Sequence, residues 1–228
     1  MTLDSTAPRN KNVAGIILAA GCGSRMGKAK QLLPFGRTTL LDHVMDTVQR
    51  AGLDCVVLVL GFKAGQIRRA LNLPRREQAR PDRSRLQVID NPDWHKGQSF
   101  SVSAGLEALP ADMDGALFLL GDQPLVTVQT LRHLVSAFQT SDHWILAPCF
   151  NGQRGNPVLV ASPLFDRLRQ PGGDAGARSL FEEFRHRMHC LAVDDPGILK
   201  DVDTPEEYDA LVREQNRGQI AFNKEKKT

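Results

Sequence analysis

The stretch VAGIILAAGCGSRMGKAK, from Val13 to Lys30, decides how this chain folds. It opens with a continuous apolar run, which is typical of a strand buried on both faces of a parallel sheet. The run passes directly into a loop with three glycines, Gly21, Gly23 and Gly27. Glycine lets a backbone turn tightly and bring its N–H groups close to an anion. A buried strand that ends in such a loop predicts an α/β protein with a ligand site at the carboxyl end of that strand.

The rest of the chain repeats this alternation of strand and helix. Strand-like apolar runs begin at Val13, Cys55, Leu86, Gly115 and Asn156. Between them, apolar residues recur with helical spacing in segments 38–52, 101–109 and 126–138. This order predicts a three-layer, Rossmann-like α/β fold, in which helices cover both faces of a mostly parallel sheet. The arginine-rich stretch 74–85 predicts an exposed loop.

Length and composition limit the classes of protein that fit. The 228 residues suit a single domain, which we expect to span 13–215, with a disordered segment at 1–12 and a flexible tail at 216–228. A net charge of +3 does not favour a nucleic-acid partner. No apolar run predicts a signal peptide or membrane span. The four cysteines lack the spacing of a zinc or disulfide framework, so we expect free thiols and a cytoplasmic protein.

Positive charge accompanies the glycines of the first loop. Arg25, Lys28 and Lys30 place three cations within six residues, a composition that suits a polyphosphate. The Walker A pattern does not fit, since five residues separate Gly21 from Gly27 and an alanine stands where serine or threonine is required. The dinucleotide-binding fingerprint fails as well, because a methionine replaces its last glycine. The loop therefore predicts a phosphate site of another type.

An acidic residue follows a second apolar run. Asp122 comes directly after the strand-like segment 115–120 and its glycine, where burial of a carboxylate is costly without a partner. One partner would be the start of the next helix, although Pro124 and the gap before Val126 suit a helix cap poorly. The other partner is a divalent cation. We predict that Asp122 is a metal ligand and a catalytic group.

The segment DVDTPEE, from Asp201 to Glu207, contains the start of a helix. Thr204 and Glu207 have the spacing of a capping box, and Pro205 occupies the first helical position. This pattern accounts for the residues from Thr204 onward. It leaves Asp203 without a structural explanation.

A family resemblance extends these interpretations. The stretch LAAGCGSRMGKAKQLLPFG, from Leu18 to Gly36, resembles the signature of the MobA-like NTP transferase family, whose pattern is roughly L-A-[AG]-G-x-[SG]-x-R-M-G-x-x-K. The resemblance covers most of the chain and implies a fold of the nucleotide-diphospho-sugar transferase type. The loop residues that it implies in nucleotide binding are Leu18, Ala19, Ala20, Gly21, Gly23, Arg25 and Lys30. Of these, Arg25 and Lys30 would neutralise the triphosphate and act in catalysis together with Asp122.

Two more segments match the family's nucleotide and metal residues. The segment NPDWHKGQSFSVSAGL, which begins at Asn91, is similar to the one that holds the base and ribose. It implies nucleotide contacts from Asn91, Ser99 and Ser101. The family's second metal-ligating residue matches Asp203, so the resemblance implies that Asp122 and Asp203 bind Mg²⁺.

Two glycine-rich segments are similar to the molybdenum cofactor cytidylyltransferase (MocA-like) branch of the family. They are GQRGNPVLV, which begins at Gly152, and GGDAGARSL, which begins at Gly172. In that branch these segments line the acceptor side. The resemblance therefore implies acceptor binding by Arg154, Gly155, Asn156 and Arg178.

The branch implies a function as well. The Ala-Ala-Gly form of residues 19–21 is typical of the cytidylyltransferase members, so the resemblance implies Mg²⁺-dependent transfer of CMP from CTP to the phosphate of molybdopterin or molybdenum cofactor, with release of pyrophosphate. Four alternatives remain: another NTP such as GTP as donor, a sugar or polyol phosphate as acceptor, a non-catalytic carrier of molybdenum cofactor, and an α/β nucleotide-binding module that binds NTP without turnover. A client molybdoenzyme would be a further partner.

Overall fold

The computed structural model describes residues 10–23, 29–78, 86–170 and 182–225, with side chains described as far as residue 215. The strands are β1 (Val13–Ala19), β2 (Pro34–Phe35), β3 (Thr38–Thr39), β4 (Cys55–Leu60), β5 (Leu86–Asp90), β6 (Gly115–Leu120), β7 (Ile145–Phe150), β8 (Gln153–Arg154), β9 (Val158–Ala161) and β10 (Met188–Ala192). The α-helices of at least four residues are α1 (Leu40–Ala51), α2 (Ala64–Ala70), α3 (Leu73–Gln78), α4 (Gln98–Glu107), α5 (Val128–Gln139), α6 (Phe165–Leu168) and α7 (Pro205–Glu225).

Within the described residues, eight strands form one mixed sheet. Seven of them lie in the order β10-β7-β9-β6-β1-β4-β5, and β8 pairs with β7. β1 is parallel to β4 and β6, β4 is parallel to β5, and β7 is parallel to β10. β9 is antiparallel to both of its neighbours. The short strands β2 and β3 form a separate hairpin. This mostly parallel sheet confirms the predicted α/β fold.

Consecutive residues of β1 point to opposite faces of the sheet, and each face is covered by helices. Ile17 packs in one apolar cluster with Leu41 of α1 and Leu131 of α5. Ile16 packs in another with Leu106 of α4 and Phe165 of α6. Both isoleucines are fully buried, as expected for a strand that lies between two helical layers. The sequence pattern therefore predicted the three-layer arrangement correctly.

Two local expectations need correction. The apolar run from Asn156 becomes a strand only at Val158, and it runs antiparallel to its neighbours. The arginine-rich stretch is not simply a loop, because residues 74–78 belong to α3. The side chains of this helix make tertiary contacts, since Glu77 Oε1 accepts a hydrogen bond of 2.8 Å from the N–H of Val88. Residues 79–85 lie outside the described residues.

The predicted domain bounds remain a prediction. Asn12 donates its N–H to Asp114 at 2.7 Å, and the backbone of α7 continues to Glu225. Among the described residues, every helix is too short or too polar to cross a lipid bilayer.

The parallel strands β1, β4, β5 and β6 end at the same edge of the sheet, and Gly121 donates its N–H to the carbonyl of Leu18 at 3.0 Å there. This edge carries the candidate site.

Candidate nucleotide site

A cavity of about 440 Å³ opens at the carboxyl ends of β1 and β6. The predicted site residues that line it are Leu18, Ala19, Ala20, Gly21, Gly23, Lys30, Ser101, Asp122 and Asp203. They come from four separate parts of the sequence. The strand ends bring them together, as the topology of an open α/β sheet leads one to expect.

Lys30 lies between the two predicted metal ligands. Its ammonium donates a hydrogen bond to Asp203 Oδ1 at 2.7 Å and another to Asp122 Oδ2. The Lys30 side chain is 10% exposed, that of Asp122 is 17% exposed and that of Asp203 is 38% exposed. The Lys30 ammonium therefore meets two carboxylates where water is partly excluded, and the opposite charges offset the loss of hydration.

The electrostatics of this group follow from burial and pairing. Burial disfavours the charged form of Lys30, but the Asp122 carboxylate, and with it Asp203, outweighs burial and raises the pKa of Lys30 above its ordinary value. Burial also raises the pKa of the Asp122 carboxyl, against the opposing effect of Lys30. Lys30 is therefore a fixed positive charge at neutral pH.

Local structure explains why residues so distant in sequence converge. Lys30 begins a 3-10 helix, Lys30–Leu32, immediately after the glycine-rich loop. Asp122 lies two residues beyond the end of β6, and its carbonyl accepts the N–H of Val202 at 3.2 Å. This backbone hydrogen bond holds the segment that contains Asp203 against the edge of the sheet.

The capping box fixes that segment from its other end. Glu207 donates its N–H to Thr204 Oγ1 at 3.2 Å, and its carboxylate accepts the N–H groups of Asp203 at 2.8 Å and Thr204 at 2.9 Å. These bonds confirm the predicted helix start. They also lower the pKa of Glu207, chiefly through the backbone N–H of Asp203. A structural motif thus positions the backbone of a predicted metal ligand.

The carboxylates fit a divalent cation. Asp122 Oδ1 is buried without a hydrogen-bond partner among the described residues, a costly state that a cation would relieve. Asp201 also lines the cavity. Among the described side chains, no group of three His, Cys, Asp or Glu is arranged to hold a metal by itself. Mg²⁺ suits such a place, since it commonly takes one or two protein carboxylates and completes its shell with water and substrate phosphates.

Other predicted nucleotide residues lie beside the cavity without lining it. Asn91 is buried, donates to Ser101 Oγ at 3.0 Å and accepts the N–H of Asp93 at 2.9 Å. Ser99 Oγ is buried and has no partner among the described residues. In this structure Asn91 therefore supports Ser101, which does line the cavity.

The described acceptor residues lie on β8 and in the connection from β8 to β9, and they do not line the cavity. Arg154 is exposed on β8, and its guanidinium lies 3.6 Å from the sulfur of Met188. The backbone of Gly155 packs against Ile198, and the Asn156 N–H donates to the Ile198 carbonyl at 3.0 Å. A cis peptide bond joins Asn156 to Pro157. Arg178, together with Arg25 of the glycine-rich loop, lies outside the described residues.

Sequence reasoning missed several groups at this site. Gln31 is 2% exposed and lines the cavity, as does Trp94. The Trp94 ring meets Phe62 edge-on at 5.5 Å, and its Cβ lies so close to Gly61 that an alanine there would collide with it. The aromatic residue in the Asn91 segment was a usable signal. Nothing in the sequence pattern indicated the contacts of Gln31.

Comparisons with known proteins show the family to which the chain belongs. A model of the MobA-like NTP transferase domain matches residues 15–189. The purine catabolism protein PucB of Bacillus subtilis is 32% identical over 207 residues, which cover 90% of this chain and 98% of PucB. The molybdenum cofactor cytidylyltransferase of Escherichia coli is 30% identical over 196 residues, which cover 85% of this chain and 92% of that protein.

A solved structure shows the same fold. The Mycobacterium tuberculosis protein Rv0371c, in complex with manganese, superposes with a TM-score of 0.69 at 29% sequence identity. The match covers 89% of this chain and 99% of that one. The chain is therefore similar, over nearly its whole length, to a protein that binds a divalent metal.

Proposed function

The chain belongs to the MobA-like NTP transferase family and is a nucleotidyltransferase, and from this premise we propose that it transfers CMP from CTP to the terminal phosphate of molybdopterin or molybdenum cofactor. Pyrophosphate is the second product. The observation that carries the proposal is the meeting of Lys30 with Asp122 and Asp203 beside the glycine-rich loop. The similarity to a cytidylyltransferase of this cofactor supports the choice of donor and acceptor.

Asp122 and Asp203 would hold Mg²⁺, which when bound would neutralise charge on the phosphate oxygens. Lys30 and the N–H groups of the glycine-rich loop would stabilise the negative charge that develops during transfer. We assign Arg25 the same role, because its position matches the family's signature.

The acceptor chemistry removes the need for a general base. The second pKa of a phosphate monoester is about 6, so the acceptor is mostly a dianion at neutral pH. A sugar hydroxyl would need its proton removed. His95 is exposed at the cavity wall and has no assigned part in the reaction.

Base selection would depend on Ala20. This residue is 4% exposed and lines the cavity, so its methyl group takes up room in the wall. A smaller pocket favours a pyrimidine over a purine. The variant Ala20→Gly should therefore raise turnover with GTP relative to CTP.

We assign the acceptor to Arg154, Gly155 and Asn156, with Arg178 as a further contact. The Arg154 guanidinium is exposed and offers the forked donors that bind phosphate well. The Arg154→Ala variant should raise KM for the acceptor while leaving KM for the NTP unchanged. A client molybdoenzyme that receives the product is part of the same proposal.

The decisive test supplies the purified protein with Mg²⁺, one NTP at a time and either molybdenum cofactor or a sugar or polyol phosphate as acceptor. It measures pyrophosphate release and, separately, binding of molybdenum cofactor. Pyrophosphate release that occurs with CTP and molybdenum cofactor, and with no other NTP, supports the proposal. Turnover with GTP alone would overturn the base assignment, and turnover only with a sugar or polyol phosphate would overturn the acceptor. Cofactor binding without pyrophosphate release from any NTP would indicate a carrier.

A further inference from the structure

The buried amide of Gln31 braces the start of the glycine-rich loop. Its Nε2 donates one hydrogen bond to the carbonyl of Ala19 at 2.9 Å and a second to the carbonyl of Gly21 at 3.0 Å. Ala19 is the last residue of β1, and Gly21 lies two residues further on. One side chain therefore spans the bend at which the strand leaves the sheet.

This arrangement fixes the orientation of the amide. Both carbonyl oxygens can only accept hydrogen bonds, so the NH₂ group of Gln31 must face them, and it has two hydrogens to give. The Oε1 atom consequently points elsewhere and is buried without a partner among the described residues. An unsatisfied buried oxygen costs free energy, and the two hydrogen bonds of the NH₂ group help to offset that cost.

The two hydrogen bonds also set the direction of two backbone donors. In a planar trans peptide, the C=O of one residue and the N–H of the next point in opposite directions. The Ala19 carbonyl shares its peptide with the N–H of Ala20, and the Gly21 carbonyl shares its peptide with the N–H of Cys22. Both N–H groups therefore point away from Gln31. Ala20, Gly21 and Cys22 all line the cavity.

The brace is continuous with the cationic part of the site. Gln31 lies in the same 3-10 helix as Lys30, and that turn is closed by hydrogen bonds from Leu32 to Ala29 and from Leu33 to Lys30, each of 3.0 Å. One short turn therefore carries both the ammonium of Lys30 and the amide of Gln31 that holds the two loop carbonyls.

We propose that Gln31 is a positioning residue, which holds the Ala19 and Gly21 carbonyls so that the N–H groups of Ala20 and Cys22 are aimed at the triphosphate. The inference rests on the proposed function, since it assigns the loop to phosphate binding. Gln31 acts through the backbone and does not itself touch the phosphate. It prepares the donors before the ligand arrives, which reduces the ordering that binding requires.

The test uses Mg²⁺ with inorganic tripolyphosphate, a probe that has neither base nor sugar and reports on phosphate binding alone. Calorimetry compares the whole wild-type protein with two variants. Gln31→Met keeps the shape of the side chain but loses the hydrogen-bond donors. Gln31→Glu places a carboxylate, which cannot donate a hydrogen bond, against the two carbonyls. Both variants should bind the probe about tenfold or more weakly, as happens when supporting hydrogen bonds of a site are removed. Gln49→Met, the same exchange on α1, should bind it like wild type.

A structural role and a positioning role give different results. If Gln31 positions the loop, Gln31→Met should keep its Tm within about 3 °C of wild type, while KM for the NTP rises and kcat falls, because the same N–H groups bind the triphosphate and stabilise the charge that develops during transfer. Tripolyphosphate affinity within twofold of wild type in both Gln31 variants would overturn the inference and leave the proposed function intact. Tight binding of the probe by wild type without any nucleotidyl transfer would overturn the proposed function and leave the brace intact.

Discussion

The ammonium of Lys30 lies 2.7 Å from Oδ1 of Asp203, although 173 positions of sequence separate the two residues. The same ammonium also contacts Asp122, so one buried cation serves two carboxylates. A divalent metal would compete with it for the same two carboxylates. The ion pairs of Lys30 with Asp122 and Asp203 should therefore weaken metal binding when no nucleotide is bound.

Replacement of Lys30 should separate these effects. In Lys30→Met, Asp122 and Asp203 lose the ammonium that contacts both of them, and breaking a buried pair costs about 3–5 kcal/mol. We expect a lower Tm than wild type in chelator, a larger rise in Tm with Mg²⁺, and nucleotide-free Mn²⁺ binding at least about tenfold tighter by electron paramagnetic resonance. Lys96→Met, which removes an exposed lysine, is the matched control. Equal or weaker Mn²⁺ binding by Lys30→Met would refute the competition.

The capping residue Glu207 should affect both stability and metal binding, because its carboxylate holds the N–H of Asp203 at 2.8 Å. Loss of a capping side chain costs about 1 kcal/mol. Glu207→Ala should lower the free energy of unfolding by that amount and weaken Mn²⁺ binding as well. Glu207→Gln keeps an acceptor oxygen and should lie between alanine and wild type. Mn²⁺ affinity that is unchanged in Glu207→Ala would mean that the motif does not position Asp203.

His43 should make stability depend on pH. Its ring is half-buried against Phe35, with ring centroids 4.9 Å apart. Burial lowers the pKa of His43 below its ordinary 6.5, and Arg50 adds to this effect, while Asp46 and Asp42 oppose it. The unfolded chain therefore binds the proton more readily than the folded protein.

The sign of the effect follows from that difference. The contribution of His43 to stability is fully present above pH 6.5, and it is lost as pH falls from there to the lower pKa of the folded state. Urea unfolding between about pH 5 and pH 8 should show this slope in wild type. His43→Gln should flatten it. An identical slope in the two proteins would exclude His43 as its origin.

Gly61 should be intolerant of a side chain. A Cβ at this position would lie 2.5 Å from Trp94 Cβ and 2.8 Å from the Ala20 carbonyl oxygen. Gly61→Ala should lower the free energy of unfolding by about 1–3 kcal/mol and shift tryptophan fluorescence. In Gly65→Ala the nearest atom is Arg69 Nη1 at 3.6 Å, and alanine in helix α2 should stabilise by up to about 1 kcal/mol. Equal stabilities of the two variants would contradict this packing.

The parts of the fold that were predictable have strong local patterns. β1 and β6 are continuous apolar runs, and Thr204 with Glu207 forms a helix start that is visible in four residues. β7 was missed because Pro148 interrupts its apolar pattern, and β10 because its exposed and half-buried residues do not alternate. The sequence of α3 is arginine-rich, and its contacts with β5 arise only in the folded protein.

The site shows the same division. The convergence of Asp122 and Asp203 was predictable because a family resemblance supplied what spacing alone did not. The two hydrogen bonds from Gln31 were not predictable, since they join one side chain to two backbone carbonyls. Such contacts leave no pattern in the sequence. The hydrogen bond from Val202 to the Asp122 carbonyl is of the same kind. Tertiary contacts to the backbone carry little sequence signal.

The most direct test is label transfer from α-³²P-CTP to molybdenum cofactor in the presence of Mg²⁺. Wild type and Asp122→Asn are compared at equal concentrations of folded protein, below the Tm of both. Wild type should move the label to the pterin and release unlabelled pyrophosphate. Asp122→Asn should do so at least about a hundredfold more slowly. Transfer by Asp122→Asn at close to the wild-type rate would contradict the central role given to the Lys30, Asp122 and Asp203 group.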